Sequence, residues 1–574
     1  MDQITARLTN CGDPIYSNDY ADYIIEYTGY EPTIIERYNP ECIQFVSNRY
    51  VIIHVPNTDT RAVAWNKFGY HAIPKCYGLL DSSSMEASGI QRVKRQPYLN
   101  LFGRDVIIGF IDTGIDYTHK VFKNADNTSR IISIWDQTIR TGLPPNGISY
   151  GTEYKKIQID EALASDNPLS IVPSVDENGH GTFLAGIAAG GEDRENDFTG
   201  VASSAGIVMV KLKPVKPYLR DFFLVKEDAV CYQENDVMMA VRYLQNVAFE
   251  QLKPLVICLG IGSNEGGHEG NTSLPEFLDS IADVAGIGII VAGGNEVNRG
   301  HHYLGTIEAS QSHEDVEIKV DAKESERGFS AEMWVSAPNV LSVGFISPTG
   351  ELIEKIAPRL NQSQTIHLIL ERTVIDVNFE LIEKKTGDEL ILIRFDKPTP
   401  GIWKIRVYND GKSYATYHIW MLMDTFISED TFFLQPDPYT TICEAGNATK
   451  LLTVAAYDHV SGSIYTHSSR GNTRSNLQEP DITAPGVNVF GPVPGGTYGR
   501  KTGTSVASAH IAGASALLLE WGLIEGNDIT MDTTEIKKYL IRGANRGNII
   551  YPNREWGYGT LDLYETFESL RTTL

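Results

Sequence analysis

The chain has 574 residues, a length that predicts roughly three or four domains, or one large domain with additions. Its 49 Lys and Arg residues against 73 Asp and Glu residues give a formal net charge of −24, which argues against nucleic acid as a partner. A hydrophobic content of 42% with 21% charged residues is ordinary for a globular protein and excludes a collagen-like or largely disordered chain.

The N-terminal residues do not have the basic start and following apolar run of a secretory signal. The most apolar short stretch, GIGIIVAGG at 286–294, is too short and too rich in glycine for a membrane helix, so we expect no membrane span. The six cysteines are widely scattered and form no C-x-x-C pair. We therefore expect neither a disulfide framework nor a metal site, and a reducing compartment.

Residues 20–80 are predicted to form a small α/β unit, because apolar strand-like runs alternate there with a helical segment at TRAVAWNKFG. Residues 81–99 are polar and basic in a chain that is otherwise acidic. This composition predicts an exposed linker after the small unit.

From residue 105, buried strands such as VIIGFID and PLVICLG alternate with helical segments, a pattern typical of a parallel sheet covered on both faces. Between about 300 and 440, short alternating strands and turn signals predict an antiparallel sandwich or jelly roll. The α/β pattern resumes at LLTVAAYD, residues 451–458. The predicted fold class is therefore α/β, with an all-β domain inserted into the parallel-sheet domain.

Three segments each place one reactive residue beside glycines at the edge of an apolar element. Asp112 follows a strand, where parallel sheets collect catalytic groups, but it could simply end the strand. His180 lies between two glycines before a helix, and could be an incidental turn residue. Ser505 begins a helix, whose positive end would face a developing anion, but it could simply be an N-cap.

Together the three residues fit one chemistry. A serine that attacks an amide needs a base to accept its proton, and the base needs a carboxylate to fix its tautomer. Asp112, His180 and Ser505 supply these groups in that chain order. Asn295 follows a further apolar strand, where its carboxamide could donate a hydrogen bond to an oxyanion.

These segments resemble the subtilisin-like serine proteases, the subtilases. The motifs are DTGID at 112–116, HGT at 180–182, GGN at 293–295 and GTSVASAHIAG at 503–513. The resemblance implies a subtilisin-like catalytic fold, a triad of Asp112, His180 and Ser505, and an oxyanion hole formed by Asn295 and the Ser505 amide. It also implies a substrate-binding edge and pocket wall at Cys258, Leu259, Gly260, Ala292, Gly293 and Gly294.

Two positions depart from the family pattern. Many subtilases bind calcium through an Asp shortly after the DTGID motif, but Val121 occupies that place, so we predict no calcium there and no other cofactor. Cys258 stands where the family has a serine at the substrate edge. Because that edge binds through backbone groups, we expect the cysteine to alter the pocket more than the mechanism.

The architecture resembles the Csp germination proteases of spore-forming clostridia, which cleave the proform of a cortex-lytic hydrolase. The resemblance implies a propeptide with its linker at 1–96, a catalytic domain at 97–300 and 440–574, and an inserted jelly roll at 301–439. The propeptide would block the cleft as a partner of the enzyme until it is cut, which we expect within 87–96. A cytoplasmic or spore-associated location follows from the same resemblance and from the absent signal.

Two questions stay open. The protein could be a catalytically silent sensor or scaffold that acts through the jelly roll. The insertion itself could stabilise the enzyme or dock a protein substrate or partner. The net charge favours neutral or basic substrate segments.

His301 and His302 are adjacent, but without a third ligand we expect them to be surface loop residues and not a metal site.

Overall fold

The structure is a computed structural model that describes residues 11–27, 31–57, 61–79, 90–95, 99–321, 327–359, 363–411, 413–547 and 549–571. Residues 11–79, within these ranges, form an N-terminal unit. Its antiparallel sheet has the strand order β1-β3-β2, and helices pack against it. Its elements are α1 (Gly12–Tyr16), β1 (Tyr20–Glu26), α2 (Glu31–Tyr38), β2 (Cys42–Phe45), β3 (Tyr50–Pro56), α3 (Arg61–Phe68) and β4 (Cys76–Leu79).

A short helix follows this unit, α4 (Ile90–Arg95), within the region predicted to be an exposed linker. That prediction is wrong for Ile90 and Val93, which are buried in the apolar core of the parallel-sheet domain. Their spacing of three residues places them on one face of the helix. The remainder of the predicted cleavage region 87–96, namely 87–89 and residue 96, lies outside the described residues.

The N-terminal unit also contains a disulfide bond between Cys11 and Cys42, whose Cα atoms are 5.4 Å apart. The expectation that no cysteines pair is therefore wrong for these two. Among the described residues, Cys76, Cys231, Cys258 and Cys443 are free and buried.

The first part of the parallel-sheet domain extends to residue 292. Its continuous apolar strands are buried on both faces, as the sequence predicts. The elements are β5 (Ile107–Asp112), β6 (Ile131–Asp136), β7 (Thr152–Lys155), α5 (Lys156–Ala164), α6 (His180–Ala189), β8 (Gly206–Lys211), α7 (Pro217–Phe223), β9 (Tyr232–Gln233), α8 (Glu234–Gln251), β10 (Leu255–Leu259), β11 (Ile261–Gly262), α9 (Ser273–Ala282) and β12 (Ile287–Ala292).

The inserted sandwich has two antiparallel sheets with the strand orders β13-β22-β15-β20-β19-β18 and β17-β16-β21-β14-β23. Large apolar side chains from both sheets form one core. The strands are β13 (His302–Ile307), β14 (His313–Val320), β15 (Gly328–Val335), β16 (Ser342–Ile346), β17 (Leu352–Ile356), β18 (Ser363–His367), β19 (Val374–Glu380), β20 (Glu389–Asp396), β21 (Gly401–Tyr408), β22 (Ala415–Met421) and β23 (Phe432–Phe433).

The chain then returns to the parallel-sheet domain. The complete sheet has the order β25-β24-β12-β10-β5-β8-β6-β7, with β26 beside β24, and β7 and β25 are its antiparallel strands. The predicted α/β fold with an inserted antiparallel region is confirmed. The last elements are β24 (Leu452–Asp458), β25 (Ser463–Ile464), β26 (Ile482–Pro485), β27 (Val489–Val493), β28 (Thr497–Lys501), α10 (Thr504–Leu519), α11 (Thr533–Gly543) and α12 (Leu563–Arg571).

One helical stretch within the described residues, Thr504–Ile524, is long and apolar enough to cross a membrane by length and composition. Of its most apolar window, 83% is buried inside the protein. The stretch is therefore the central core helix, α10, with the turn that follows it.

Candidate active site

The end of β5 and the starts of α6 and α10 bring together three residues that are far apart in the sequence. His180 Nδ1 lies 2.8 Å and 2.9 Å from the two carboxylate oxygens of Asp112. His180 Nε2 lies 3.1 Å from Ser505 Oγ. With Nδ1–H donating to the carboxylate, Nε2 can accept the hydroxyl proton of Ser505.

The three side chains are at most 1% exposed. Asp112 does end its strand, but it also holds the imidazole and accepts a hydrogen bond from Thr113 N at 2.7 Å. The N-cap of α10 is Gly503, so the alternative that Ser505 is an N-cap is wrong. Ser505 instead lies in the first turn, where unpaired backbone N–H groups create a positive helix end.

Glycines allow the elements to approach closely at this site. A Cβ atom at Gly181 would lie 2.2 Å from Gly114 O and 3.1 Å from Asp112 Cβ. A Cβ atom at Gly260 would lie 2.5 Å from Leu184 Cδ1 and 3.2 Å from Ser505 Cβ. The 2.2 Å distance to a backbone oxygen is too short for any side chain, so glycine is required at residue 181. At residue 260 a side chain would displace the Leu184 side chain and crowd Ser505.

Asn295 lies beside the start of α10, and its carboxamide is held in one orientation. Asn295 Oδ1 accepts hydrogen bonds from Thr504 N and Thr504 Oγ1, both at 3.1 Å. Thr504 Oγ1 in turn accepts from Gly294 N at 3.1 Å. The Asn295 amino group makes no hydrogen bond to any described residue, so it is the half of the carboxamide that can donate to a substrate oxygen. Sequence reasoning missed Thr504, although it precedes Ser505 in the GTS motif.

The predicted substrate edge continues from β10 into β11. Gly262 and Ile261 pair antiparallel with Gly78 and Leu79 of the N-terminal unit, so β4 lies along this edge as an added strand. β4 also pairs with β9 on its other side. Leu259 ends β10 and is buried.

The other predicted pocket residues lie within the sheet or next to it. Cys258 Sγ faces α10, 4.0 Å from Ser508 Oγ, and burial raises the pKa of its thiol to about 12. Cys258 is therefore a neutral packing residue in the structure. Ala292 ends β12, and the Gly293–Gly294 segment connects it to Asn295. Gly293 N donates to Val454 O at 2.9 Å, which fixes this segment against β24.

His301 and His302 are not surface loop residues as the sequence predicts, because both are only 2% exposed. His302 Nδ1 donates to Asp437 O at 3.2 Å, and its Nε2 lies 2.9 Å from His418 Nδ1. Among the described residues, one group with clustered metal-ligand atoms is found, at Cys11, Cys42 and His54. The two cysteines there are joined as a disulfide and offer no thiolate ligands.

A model of the subtilase family matches residues 103–376 and 434–559. Subtilisin E of Bacillus subtilis is 45% identical over 58 residues, which are 10% of this chain and 15% of subtilisin E. The chain thus matches only a small part of this curated relative's length. The PII-type proteinase of Lacticaseibacillus paracasei is 22% identical over 525 residues, 82% of this chain and 26% of that protein.

Among solved structures, the Clostridium perfringens CspB protease is similar with a TM-score of 0.76 and 32% sequence identity. The similarity covers 85% of this chain and 97% of that chain. The family match includes the segments that carry Asp112, His180, Asn295 and Ser505. The chain belongs to the subtilase family.

Proposed function

We propose that the protein is a serine endopeptidase of the subtilisin type. The observation that carries the proposal is the chain of contacts from Asp112 through His180 to Ser505, with Asn295 beside the serine. A catalytically silent scaffold would not need this arrangement. The intact contacts favour the enzyme over the scaffold.

Each residue has a role in the proposed reaction. Ser505 Oγ attacks the peptide carbonyl carbon while His180 Nε2 accepts its proton, and Asp112 stabilises the imidazolium through Nδ1–H. The oxygen that becomes negative receives hydrogen bonds from the Asn295 amino group and the Ser505 backbone N–H. His180 then protonates the leaving amine. In the second half, water attacks the acyl-enzyme ester with His180 again as base, and the serine is released.

The N-terminal unit is proposed to be a propeptide that the enzyme removes itself. Support comes from β4, which lies between β11 and β9 and so occupies the edge that an extended substrate would use. The likeness to the CspB protease supports a further proposal, namely that the substrate is a proenzyme such as a spore cortex-lytic hydrolase. A spore-associated location would fit that substrate.

The Ser505→Ala variant tests the proposal. We expect it to lose cleavage of casein and to remain a full-length chain in mass spectrometry, whereas the wild type yields an N-terminal fragment. Removing the nucleophile costs about 10⁶-fold in kcat in this type of site. Ser515→Ala is the matched control, because Ser515 lies in the same helix and its hydroxyl only donates to Ile511 O at 2.8 Å. Undiminished cleavage by Ser505→Ala would refute the assignment.

A cavity of about 810 Å³ next to Leu79 and Asn178 supports a preference for neutral or basic substrate segments. Four carboxylates and one ammonium group line it: Glu227, Asp228, Asp424, Glu429 and Lys226. Asp228 and Glu429 form no ion pair with any described residue. A positively charged substrate side chain would meet unpaired negative charge in this cavity.

A peptide library that varies the residues before the scissile bond tests this preference. We expect Lys or Arg to raise kcat/KM over Glu at the positions that face the cavity, and Asp228→Lys to reduce or reverse the difference. Raising the salt concentration should reduce the difference in kcat/KM, because charges at the rim of a site act mainly on the association rate and are screened by salt. Equal kcat/KM for Lys and Glu peptides at every position would contradict the preference.

A further inference from the structure

Asp176 lies in the turn that leads into α6 and is only 4% exposed. Its carboxylate accepts four hydrogen bonds. Oδ1 accepts from Thr113 Oγ1 at 2.7 Å and from Gly179 N at 2.8 Å. Oδ2 accepts from Thr182 N at 2.9 Å and from Thr182 Oγ1 at 2.7 Å. Asp176 thus joins the end of β5, next to Asp112, to the first turn of α6.

The two threonine hydroxyls have fixed directions because the ionised carboxylate can only accept. Each hydroxyl therefore donates to Asp176 and uses its lone pairs for a backbone N–H of the opposite element. Thr113 Oγ1 accepts from Gly181 N at 3.0 Å, and Thr182 Oγ1 accepts from Asp116 N at 2.8 Å. The two hydroxyls and the carboxylate form one cross-linked network.

The helix start explains why a carboxylate is needed here. The N-cap of α6 is Gly179, which has no side chain to accept from the first backbone N–H groups. Its φ of 81° and the 2.8 Å approach of Pro494 Cδ to a Cβ atom built there both disfavour a larger residue. Asp176 bonds the N–H groups of Gly179 and Thr182 instead, and its negative charge lies at the positive end of the helix.

His180 is the first residue of this helix, and Asp112 directly precedes Thr113. The network therefore fixes the backbone on both sides of the Asp112–His180 hydrogen bond. We infer that Asp176, acting through Thr113 and Thr182, is a positioning residue that holds Asp112 and His180 in the geometry for proton transfer. This inference rests on the proposed function, because it concerns the same reaction.

The first test measures kcat and KM separately for Asp176→Asn. The asparagine carboxamide places an amino group where an acceptor is required. At least one of the two elements, the end of β5 or the start of α6, therefore loses hydrogen bonds to this side chain. Small displacements of catalytic groups can cost about 100-fold, and we expect a loss of that order in kcat with KM nearly unchanged. Asp532→Asn is the matched control, because Asp532 caps α11 by accepting from Glu535 N at 2.9 Å. Its kcat should equal that of the wild type.

The threonines provide a second test that holds even where Asp176→Asn fails to fold. Thr113→Val keeps the shape of the side chain and removes the hydroxyl, whereas Thr113→Ser keeps the hydroxyl. The same pair of changes is available at Thr182. We expect the valine variants to lose kcat and the serine variants to remain close to the wild type. A merely structural role would lower stability in the valine variants without this difference in kcat.

The inference is overturned if Asp176→Asn has the wild-type kcat, or if both valine variants do. These results are separable from failure of the proposed function. An inactive Ser505→Ala together with a fully active Asp176→Asn refutes the positioning role alone. An active Ser505→Ala refutes the peptidase assignment, whatever Asp176→Asn does.

Discussion

The parallel-sheet domain contacts the N-terminal unit and the sandwich through two interfaces. Each interface contains a buried cluster of polar side chains, and the two clusters differ in chemistry. Towards the N-terminal unit, the fully buried Asp22 carboxylate accepts from Lys216 Nζ at 2.7 Å and Gln233 Nε2 at 3.0 Å. Its Oδ1 also lies 2.6 Å from His54 Nδ1. Burial alone would raise the pKa of Asp22, but Lys216 and His54 hold it well below its usual range.

Towards the sandwich, a cluster of stacked neutral rings is buried beside ion pairs such as that of Arg474 with Asp388. Trp420 stacks on His268, His302 and His418 with centroid distances of 4.2 Å, 4.8 Å and 4.9 Å. Burial lowers the pKa of His302 to about 3 and that of His418 well below its usual value. His302 Nδ1–H donates to a backbone carbonyl, so its Nε2 accepts from His418 Nδ1–H.

The comparison shows two ways to bury polar groups away from water. The buried Asp22 carboxylate stays ionised because a cation and hydrogen-bond donors surround it. A buried imidazole avoids the free-energy cost of burying a charge by staying neutral, with one ring nitrogen donating a hydrogen bond and the other accepting one. Removing one partner should therefore destabilise the cluster around Asp22. Protonating the rings should destabilise the histidine cluster around Trp420.

The largest expected effect follows from Asp22→Ala. This change leaves the Lys216 ammonium buried without its partner, which typically costs about 3–5 kcal/mol of stability. We expect hydrogen exchange of the β1 and β3 amides, measured in the full chain, to show that the free energy of opening of these strands falls by this amount. Asp13→Ala is the matched control, because its partner Arg140 is 53% exposed and Asp13 itself 90%. Equal effects of the two changes would contradict the account.

A smaller effect, dependent on pH, is expected at the sandwich. Above about pH 7.5, His302 and His418 are neutral in both the folded and the unfolded chain and contribute nothing to pH dependence. As the pH falls through 6.5, the unfolded chain binds protons that the folded chain does not. The free energy of unfolding should then fall by up to about 1.4 kcal/mol per pH unit for each histidine.

The His418→Gln variant isolates this contribution. Buried carboxyls act in the opposite direction, since burial raises the pKa of Glu444 to about 8, and they are common to both proteins. The difference in unfolding free energy between wild type and His418→Gln should therefore change with pH below 6.5, while it stays constant above 7.5. A difference that is constant from pH 8 to pH 5 would show that His418 is not kept neutral.

Much of the fold and the site could be predicted because the decisive signals are local. Unbroken apolar strands such as residues 107–112 predict a buried parallel sheet, and the residue that follows or ends each strand lies at its active edge. The glycines beside His180 are visible in the sequence, and the structure explains them by close backbone approach. Local patterns were sufficient for these elements.

The remaining features depend on residues that are distant in the sequence. The burial of His302 depends on His418 and Trp420, which lie more than 100 residues away. The Cys11–Cys42 disulfide spans a separation of 31 residues and follows no spacing motif. In α4, charged residues surround the two apolar positions that the structure buries, so composition alone predicts a linker.

The most direct test of the catalytic triad is covalent labelling with a fluorophosphonate, mapped by mass spectrometry, on the processed protein after the N-terminal unit has been displaced from the cleft. We expect one modified residue, Ser505, at a rate that falls strongly in His180→Ala because the serine loses its base. Ser515→Ala should be labelled at the wild-type rate. No label on Ser505, or equal labelling in His180→Ala, would contradict the assignment of a catalytic triad.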